Sequence, residues 1–459
     1  MSIMSGRNSV TASSEGSPGS KESRLDFNLT ESHSIPKKYF GLTARQLTFL
    51  FTYGLYNIFR GAHVLMIGPF YPPEAEDRGI STTVIGFVIG AFDFATFLSS
   101  LFYGKLFIPR FGPRKVIIFS AFNTTVCACL FGCLGWIEDK TIFLVFSFAL
   151  RLIGGAGDAG FYPSAFAIFA YEFPTLMSTT VGIFEIFFGI GAIFGPIVCG
   201  PLIDSIGFEW TYIALGGCLL LCAILILTAS PEPRLTNVVT SFNSDNTLHY
   251  GFFKLLAIPE IWFAVISLFG TAASIGFITG TLETHLDQFE LSSLQVAAVF
   301  SVTTGIYTVC SPLWGQVSDR LGLNKVIIIA SGSLLIVIGF ILLAPLDFIS
   351  KEHLLWSTLV GLCLHGIGIG SAIMVFFPYA SETALANGFP DTIGTYGLVS
   401  SIFTLTFSLG NAFGPALSGS LYDAVGFKDA TLAIIGLSSL VILSAGLLLI
   451  YIRRKSHKS

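Results

Sequence analysis

Twelve long apolar stretches, separated by short polar segments, organise the chain after its first forty residues. Each is long enough for the helix of about 20 residues that crosses the hydrocarbon core of a bilayer. The polar segment 230–250 is the longest interruption, and it divides the stretches into six and six. The pattern predicts an all-α integral membrane protein with twelve transmembrane helices. They are expected near residues 46–70, 84–107, 115–136, 142–168, 178–202, 210–230, 260–283, 295–316, 325–345, 354–379, 393–418 and 430–452.

The end of the fifth stretch recurs at the end of the eleventh. The segments "GAIFGPIVCGPLIDSIGF" (Gly191–Phe208) and "GNAFGPALSGSLYDAVGF" (Gly410–Phe427) are identical at nine of eighteen positions. A repeat with a constant offset of 219 residues indicates an internal duplication. Two six-helix pseudo-repeats of this kind are typical of transporters that rock around a site between their halves.

Glycine and proline recur at matching places in the repeated segments. Glycines four residues apart allow two membrane helices to approach closely, and a proline removes a backbone donor and bends the helix. We expect such helices to seal a cavity on one side while the halves rock. The alternative is close packing with no influence on transport. The residues concerned are Gly191, Gly195, Pro196, Gly410, Gly414 and Pro415.

Lysine and arginine are concentrated in the segments that would lie on one side of the membrane, which predicts that both termini are cytoplasmic. The predicted organisation is a disordered cytoplasmic tail (1–43), a six-helix bundle (44–230), a cytoplasmic linker (231–256), a second six-helix bundle (257–452) and a cytoplasmic C-terminal tail (453–459).

Composition supports a lipid environment and narrows the function. Of 459 residues 53% are hydrophobic and only 11% are charged, whereas soluble domains carry about 25% charged residues. The net charge of −4 and the absence of a basic patch exclude a nucleic-acid partner. No nucleophile–base pair, phosphate-binding loop or metal-ligand spacing stands out, so we expect neither an enzyme nor a metal site. The expected partners are the lipid bilayer and a small molecule, and we expect a monomer.

Several ionisable residues of the first half lie at membrane depth, where charge is costly and usually functional. They are Arg60 and His63 in the first predicted helix, Asp93 in the second, Arg151 and Asp158 in the fourth and Glu185 in the fifth. Three carboxylates face two arginines, so one carboxylate should hold either a proton or a cation.

We expect Glu185 and Asp158 to hold cation and proton alternately. Arg151 would set their proton affinity, and a pair between Arg60 and Asp93 would shape the site. The alternative is a set of structural pairs, Arg60 with Asp93 and Arg151 with Asp158, beside a permanently protonated Glu185.

The second half offers fewer candidates. Glu283 closes the seventh predicted helix, where a cation-attracting vestibule and a solvated loop are equal alternatives. His365 lies in the middle of the tenth helix among glycines, where it would either relay protons or pack as a hydrogen-bonded core histidine.

Three segments resemble signatures of the major facilitator superfamily. "GQVSDRLGLNK" (Gly315–Lys325) resembles its loop signature, "RLIGGAGDAG" (from Arg151) its fourth-helix motif, and the repeated segment its fifth-helix antiporter motif. The segment "IGPFYPPEAEDRGISTTVIG" (Ile67–Gly86) is similar to the vesicular amine transporter branch and, within it, to the members that carry polyamines. The resemblance implies a proton-coupled antiporter in an intracellular vesicle membrane, with the plasma membrane as the alternative.

The resemblance also implies roles for individual residues. Arg151 matches a fourth-helix arginine associated with proton coupling, and Glu185 matches the polyamine-carrying members. Amine-carrying relatives have an acidic residue in the first helix, where this chain has Asn57 and Arg60. A latch of the inward gate is implied at Gly315, Asp319 and Arg320, for which the alternative is a solvated pair worth less than about 1 kcal/mol.

We therefore expect a secondary active transporter that exchanges protons for a small organic cation, an amine or polyamine, by alternating access. It needs no cofactor, since the proton gradient supplies the coupling ion. One alternative is an organic-anion carrier centred on Arg60, His63 and Arg151. Another is a receptor or sensor that binds a ligand on a transporter scaffold without moving it.

Overall fold

A computed structural model describes seven ranges of the chain: 38–39, 42–173, 177–230, 253–320, 324–344, 355–390 and 393–456. The chain divides into two compact units, Met1–Ala44 and Arg45–Ser459. In the first unit, strand β1 (Lys38–Tyr39) pairs antiparallel with strand β2 (Leu42–Thr43). These four residues form a strand pair where we expected the end of a disordered tail, and residues 1–37 lie outside the described ranges.

Long α-helices form the second unit. Short helical turns at Tyr103–Phe107, Ile108–Phe111, Cys133–Trp136 and Asp287–Phe289 connect some of them. The main helices are α1 (Ala44–Glu76), α2 (Thr82–Phe102), α3 (Pro113–Gly132), α4 (Lys140–Asp158), α5 (Phe161–Glu172), α6 (Met177–Ala229), α7 (Pro259–Leu286), α8 (Ser293–Arg320), α9 (Lys325–Leu343), α10 (Leu355–Ala386) and α11 (Ile393–Ser456).

These helices account for all twelve predicted crossings. Helices α4 and α5 share one crossing, and α6 and α11 contain two crossings each. Within the described ranges nine segments are long and apolar enough to cross a bilayer, two of them being the double crossings. Helix α1 is 33 residues long and supplies the first crossing, although its polar residues lower its hydropathy. The chain is therefore a multi-pass membrane protein, as its apolar pattern predicts.

Both double helices turn at a glycine that belongs to the repeated segment. Gly207 has φ 86° and ψ 167°, and Gly426 has φ 81° and ψ 167°. This region of backbone space is essentially restricted to glycine. The helices run on through Pro196 and Pro415, and the chain changes direction further along, at the two glycines. The bend expected at each proline stays a prediction.

The repeated glycines pack in equivalent ways in the two halves. A Cβ atom on Gly191 of α6 would lie 1.7 Å from the Ile58 carbonyl oxygen of α1. A Cβ atom on Gly410 of α11 would lie 2.6 Å from the Ala272 Cβ of α7. The glycine one turn further on in each helix meets the same partner helix. Close backbone approach of α6 to α1 and of α11 to α7 is therefore a shared feature of the pseudo-repeats.

Apolar side chains divide between bundle cores and the outer surface. One core cluster lies in the first half around Met66, Tyr71 and Phe131, and others lie in the second half. Large apolar side chains on the outside remain exposed, among them Leu221 and Leu447. In a bilayer such an outer surface contacts lipid chains, so its exposure is compatible with stability.

Candidate substrate site

Helices α2 and α11 bring the two halves together at one end of the bundle. We call the end at which α1 begins and α11 ends the terminal side, and the opposite end the far side. On the far side, a Cβ atom on Gly86 would lie 2.0 Å from the Pro415 carbonyl oxygen, and one on Gly90 would lie 2.3 Å from the Ala412 carbonyl oxygen. The Thr83 amide donates to Asp423 at 2.7 Å. The repeated segment of α11 thus forms a backbone seal with α2.

Helices α6 and α8 form the second seam between the halves. The Ser301 hydroxyl donates to the Ile193 carbonyl oxygen at 3.0 Å, and the Ser293 hydroxyl donates to Asp204. Nearest to the terminal side, a Cβ atom on Gly189 would lie 3.1 Å from the Thr308 hydroxyl. The repeated segments of both halves therefore lie in the two seams on the far side.

Asp93 and Glu185 lie one helical turn below these seams, toward the terminal side. Asp93 follows Gly90 by three residues in α2, and Glu185 precedes Gly189 by four residues in α6. Residues at these spacings share a helix face, so both carboxylates point toward the boundary between the halves. Within the described part of the chain neither carboxylate forms an ion pair. Two acids without an ion pair in the described ranges therefore flank the place where the halves separate.

Glu185 is exposed, although residues of both halves surround it. Arg60 and Tyr162 are its charged and aromatic neighbours in the first half, and Tyr307 of α8 approaches from the second half. Exposure between two neighbouring bundles indicates an opening between them at this depth. Of the predicted site residues, Glu185 has the position best suited to contact a ligand in that opening.

Arg60 pairs with Asp158 and not with Asp93. The Arg60 Nε donates to Asp158 Oδ1 at 2.7 Å, and its Nη2 donates to Oδ2. The Thr124 hydroxyl donates to the same carboxylate at 3.2 Å. Both expected pairings, Arg60 with Asp93 and Arg151 with Asp158, are therefore wrong. Asp158 is buried in a bidentate ion pair, and such pairs combine charge with fixed geometry.

Aromatic rings complete the enclosure of Arg60. The guanidinium carbon lies 4.7 Å from the ring centre of Tyr162, 5.5 Å from that of Phe161 and 5.7 Å from that of Phe188. Cation–π contacts of this kind stabilise a desolvated arginine. Arg60 is therefore compensated in charge and enclosed, and it presents no free guanidinium face to a ligand.

Arg151 donates to backbone carbonyls instead of to a carboxylate. Its Nη2 donates to the Ile89 oxygen at 2.8 Å and its Nε to the Val88 oxygen at 3.4 Å. The guanidinium lies 4.6 Å from the ring centre of Phe92. Since Asp93 follows Phe92 in α2, Arg151 holds the backbone of the helix that carries this carboxylate and lies within its electrostatic range.

His63 lines a small cavity inside the first half, together with Arg151 and Tyr212. The cavity is about the size of a single water molecule. The Nδ1 atom of His63 and the hydroxyl of Tyr212 are buried without a hydrogen-bond partner in the described ranges. A water in this cavity would satisfy these groups. His63 therefore lies behind the ligand-facing surface and not on it.

The two second-half candidates do not join this group. His365 is buried, with its Nε2 atom 2.9 Å from the Ser274 hydroxyl and its ring 5.5 Å from that of Phe340. Ser274 and Phe340 both belong to the second half, so His365 packs inside its own bundle. Glu283 is only 5% exposed, so the solvated-loop interpretation is wrong.

The expected latch lies at the terminal end of α8. The helix ends at Arg320, and the side chains of Asp319 and Arg320 and the surroundings of Gly315 are outside the described part of the chain. Near this end, Lys325 Nζ lies 2.7 Å from a Glu382 carboxylate oxygen. The latch therefore stays a prediction.

The sequence did not single out two contributors to the site. Thr124 binds the carboxylate of Asp158, and Tyr307 approaches Glu185 from the second half. A third contributor, Tyr162, which covers Arg60, does have a sequence signal, because it falls at helical spacing from Arg151 and Asp158. Thr124 and Tyr307 stand in apolar helices without such a signal, because hydroxyl-bearing residues are common there.

The two-half helical bundle, with its polar centre and its seams between the halves, defines a membrane transporter of the rocking type. Residues 49–397 match the Major Facilitator Superfamily profile. The chain belongs to the major facilitator superfamily, and the resemblance drawn from its motifs is confirmed. It is accordingly a transporter of small molecules and not an enzyme.

Known proteins of this kind are similar along most of the chain. The MFS-type transporter SLC18B1 of Homo sapiens is 32% identical over 398 residues, which cover 86% of this chain and 85% of that protein. The multidrug resistance protein MdtG of Enterobacter lignolyticus is 27% identical, with 80% and 84% covered. A bacterial homologue of the human lysosomal transporter Spinster, solved in an inward-facing and unoccupied conformation, shares the fold with a TM-score of 0.67 at 13% identity, covering 87% of this chain and 95% of that one.

Proposed function

We propose that this transporter exchanges protons for a small organic cation, an amine or polyamine, and that Glu185 is its principal cation contact. The observation that carries the proposal is the exposed Glu185 carboxylate at the boundary between the halves, without an ion pair in the described ranges. A negative charge in this position is stabilised by a bound cation or removed by a proton. Because the cation and the proton compete for the same carboxylate, movement of one across the membrane is coupled to movement of the other.

Asp93 takes the second acidic position that we first expected for Asp158. Asp158 is occupied by Arg60 and is buried, so binding a substrate would require breaking a bidentate pair. Asp93 lies at the boundary between the halves on α2, one turn from the seam with α11. Two carboxylates on opposite seams suit an elongated cation with more than one amino group.

The aromatic neighbours of Glu185 favour an organic cation. Tyr162 lies beside it in the first half, and Tyr307 lies across the boundary. Aromatic faces attract alkylammonium groups and pack against the methylene chain between them. Because the two tyrosines belong to different halves, a bound cation would contact both bundles and sense their relative movement.

Transport by alternating access uses the seams already described. The seams α2–α11 and α6–α8 close the far side, and their opening would have to accompany closure of the terminal side. Backbone contacts at glycine favour two discrete arrangements, with the far side either closed or open, because no flexible side chain lies between the two backbones to adjust to intermediate separations. We place the terminal side in the cytoplasm on the basis of the lysine and arginine distribution.

The names of the relatives are compatible with this proposal. MdtG is a multidrug resistance protein and SLC18B1 an MFS-type transporter. The resemblance to vesicular amine transporters supports a vesicle membrane as the location.

An organic-anion carrier is the weaker alternative. Arg60 is neutralised by Asp158, Arg151 donates to carbonyl oxygens of α2, and His63 lines an internal cavity. None of the three presents an uncompensated positive charge beside Glu185. An anion would therefore meet a boundary that carries two carboxylates, Asp93 and Glu185, which disfavours its binding.

The test is uptake of labelled spermidine into liposomes that contain the purified protein, with and without an acidic interior. We expect gradient-driven uptake that a protonophore abolishes. Glu185→Gln should abolish uptake, since it removes the charge and keeps the shape. Glu138→Gln removes the charge of an exposed acid elsewhere and should leave uptake unchanged.

Two outcomes would contradict the proposal. If Glu185→Gln took up spermidine as fast as the wild type, Glu185 could not be the principal cation contact. Failure to accumulate spermidine both with and without the pH gradient, combined with uptake of a labelled dicarboxylate, would favour the anion carrier.

A further inference from the structure

Three carboxylates from the two halves meet on the far side. Glu76 ends α1, while Glu283 and Asp287 lie at the end of α7. One oxygen of each carboxylate lies within 4.8 Å of one oxygen of the other two. Glu283 lies in the last turn of α7, and Asp287 is the residue that directly follows the helix, one turn further on. The cluster therefore bridges the pseudo-repeats at a place separate from the Glu185 site.

Glu283 is the least solvated member of the cluster. It is 5% exposed, and its Oε2 atom is buried with no hydrogen-bond partner in the part of the chain that is described. The neighbouring Thr284 hydroxyl donates to Glu76 Oε1 at 3.0 Å. A buried carboxylate oxygen without a partner is energetically unfavourable.

The electrostatic surroundings of the cluster increase this cost. Helices α1 and α7 both direct their C-terminal ends toward it, and the negative end of the helix dipole favours a cation there. The three acids repel one another unless a positive charge lies between them.

We propose that Glu76, Glu283 and Asp287 together bind one calcium ion, which clamps α1 of the first half to α7 of the second. The donors are all oxygen atoms, and Ca²⁺ is the cation that best matches flexible carboxylates. Mg²⁺ demands a more regular octahedral arrangement.

A soft-metal site does not fit the same residues. His285 is the nearest imidazole in sequence, but its ring stacks on that of Phe427 with 3.9 Å between the centres. Its Nδ1 atom lies 3.1 Å from the Gln288 amide nitrogen. The imidazole is thus engaged away from the carboxylates, and nitrogen and sulfur donors, which zinc prefers, do not enter the cluster.

A bound ion would favour the arrangement in which the far side is closed. The ligands come from both halves, so separating the halves on this side would break the coordination. A ligand that binds one arrangement better shifts the population toward it. This inference is independent of the proposed substrate, because it concerns different residues and predicts binding in the absence of transport.

The experiment is isothermal titration calorimetry of the purified full-length protein in detergent, with CaCl₂ and separately with MgCl₂. We expect one Ca²⁺ per chain, with weaker binding of Mg²⁺. Glu283→Gln should lower the Ca²⁺ affinity by at least about tenfold, since it removes one of three charges. Glu138→Gln, a matched loss of an exposed far-side charge, should leave the affinity unchanged.

A second variant keeps the result decisive. Asp287→Asn should also lower the affinity, and size-exclusion chromatography would verify that each variant is folded. Undetectable Ca²⁺ binding by the wild type, or equal affinity of wild type, Glu283→Gln and Asp287→Asn, would overturn the proposal.

Discussion

The two halves share a backbone and differ in chemistry. In both, a glycine in the repeated segment allows close approach to the first helix of the half, and a second glycine with positive φ turns the chain. The buried ion pair, Arg151 and the two boundary carboxylates all belong to the first half. In the described ranges the second half faces them with neutral side chains such as Tyr307 and Thr308.

The comparison separates two kinds of constraint on a duplicated membrane protein. Rocking requires the same helix contacts in both copies, so the glycines are retained in pairs. Binding one substrate at the centre requires one set of charges, so the ionisable residues need not be duplicated. The second half therefore forms the opposite, neutral side of the site, and the first half supplies its charged residues.

The largest effect should follow from breaking the first-half ion pair. Asp158→Asn leaves Arg60 buried without a counter-charge, and we expect a loss of about 3–5 kcal/mol in the free energy of unfolding. The double variant Arg60→Gln with Asp158→Asn should recover most of that loss. In the second half, His365→Gln should cost only about 1 kcal/mol, since it disturbs one neutral hydrogen bond.

Unfolding of the purified variants in detergent would test this order. Equal destabilisation by Asp158→Asn and His365→Gln would contradict the asymmetry of the two halves.

The second prediction concerns the seam between the halves. In Gly86→Ala, the added Cβ would lie 2.0 Å from the Pro415 carbonyl oxygen, so the far side should not close as it does in the wild type. We expect transport to fall by at least about tenfold, an effect of roughly 1.4 kcal/mol on the closed arrangement. Each half should keep its fold.

A matched control for the seam is Gly217→Ala, because nothing lies within 4 Å of a Cβ at that position. Proteoliposome uptake and circular dichroism of both variants would distinguish loss of closure from loss of folding. Normal uptake by Gly86→Ala would show that the seam tolerates separation.

The third prediction tests whether the turns are equivalent. Gly207→Ala and Gly426→Ala each place a side chain on a glycine-only backbone conformation, which costs about 1–3 kcal/mol. The two losses should agree closely, since the φ and ψ angles agree within a few degrees. Thermal denaturation in detergent would measure them, and a marked difference between the two would mean that local packing outweighs the shared turn.

The smallest effect is expected where the repeat leaves open space. Gly217 and Gly436 are 219 residues apart, and a Cβ atom would meet nothing within 4 Å at either position. Replacement by alanine should stabilise each helix by up to about 1 kcal/mol. Melting temperatures equal to or slightly above the wild-type value are expected for both variants, and a clear decrease in either would contradict the assigned packing.

The sequence by itself determined the twelve crossings, the duplication and the set of ionisable residues at membrane depth. Hydropathy and repetition are properties of the chain read in order, and the bilayer imposes a fixed length on every crossing. The glycines at which the chain turns, Gly207 and Gly426, were also visible as matching positions of the repeat.

The tertiary structure alone decided which residues meet. It paired Arg60 with Asp158 in place of Asp93, turned Arg151 toward carbonyl oxygens, and brought Glu76 to Glu283 across the two halves. Which side chains pair depends on how each helix is rotated and tilted against its neighbours. Several rotations of a helix about its axis leave the same residues at the same depth in the membrane. Packing of all the helices selects one of them, because backbone contacts at glycine fix which faces come together.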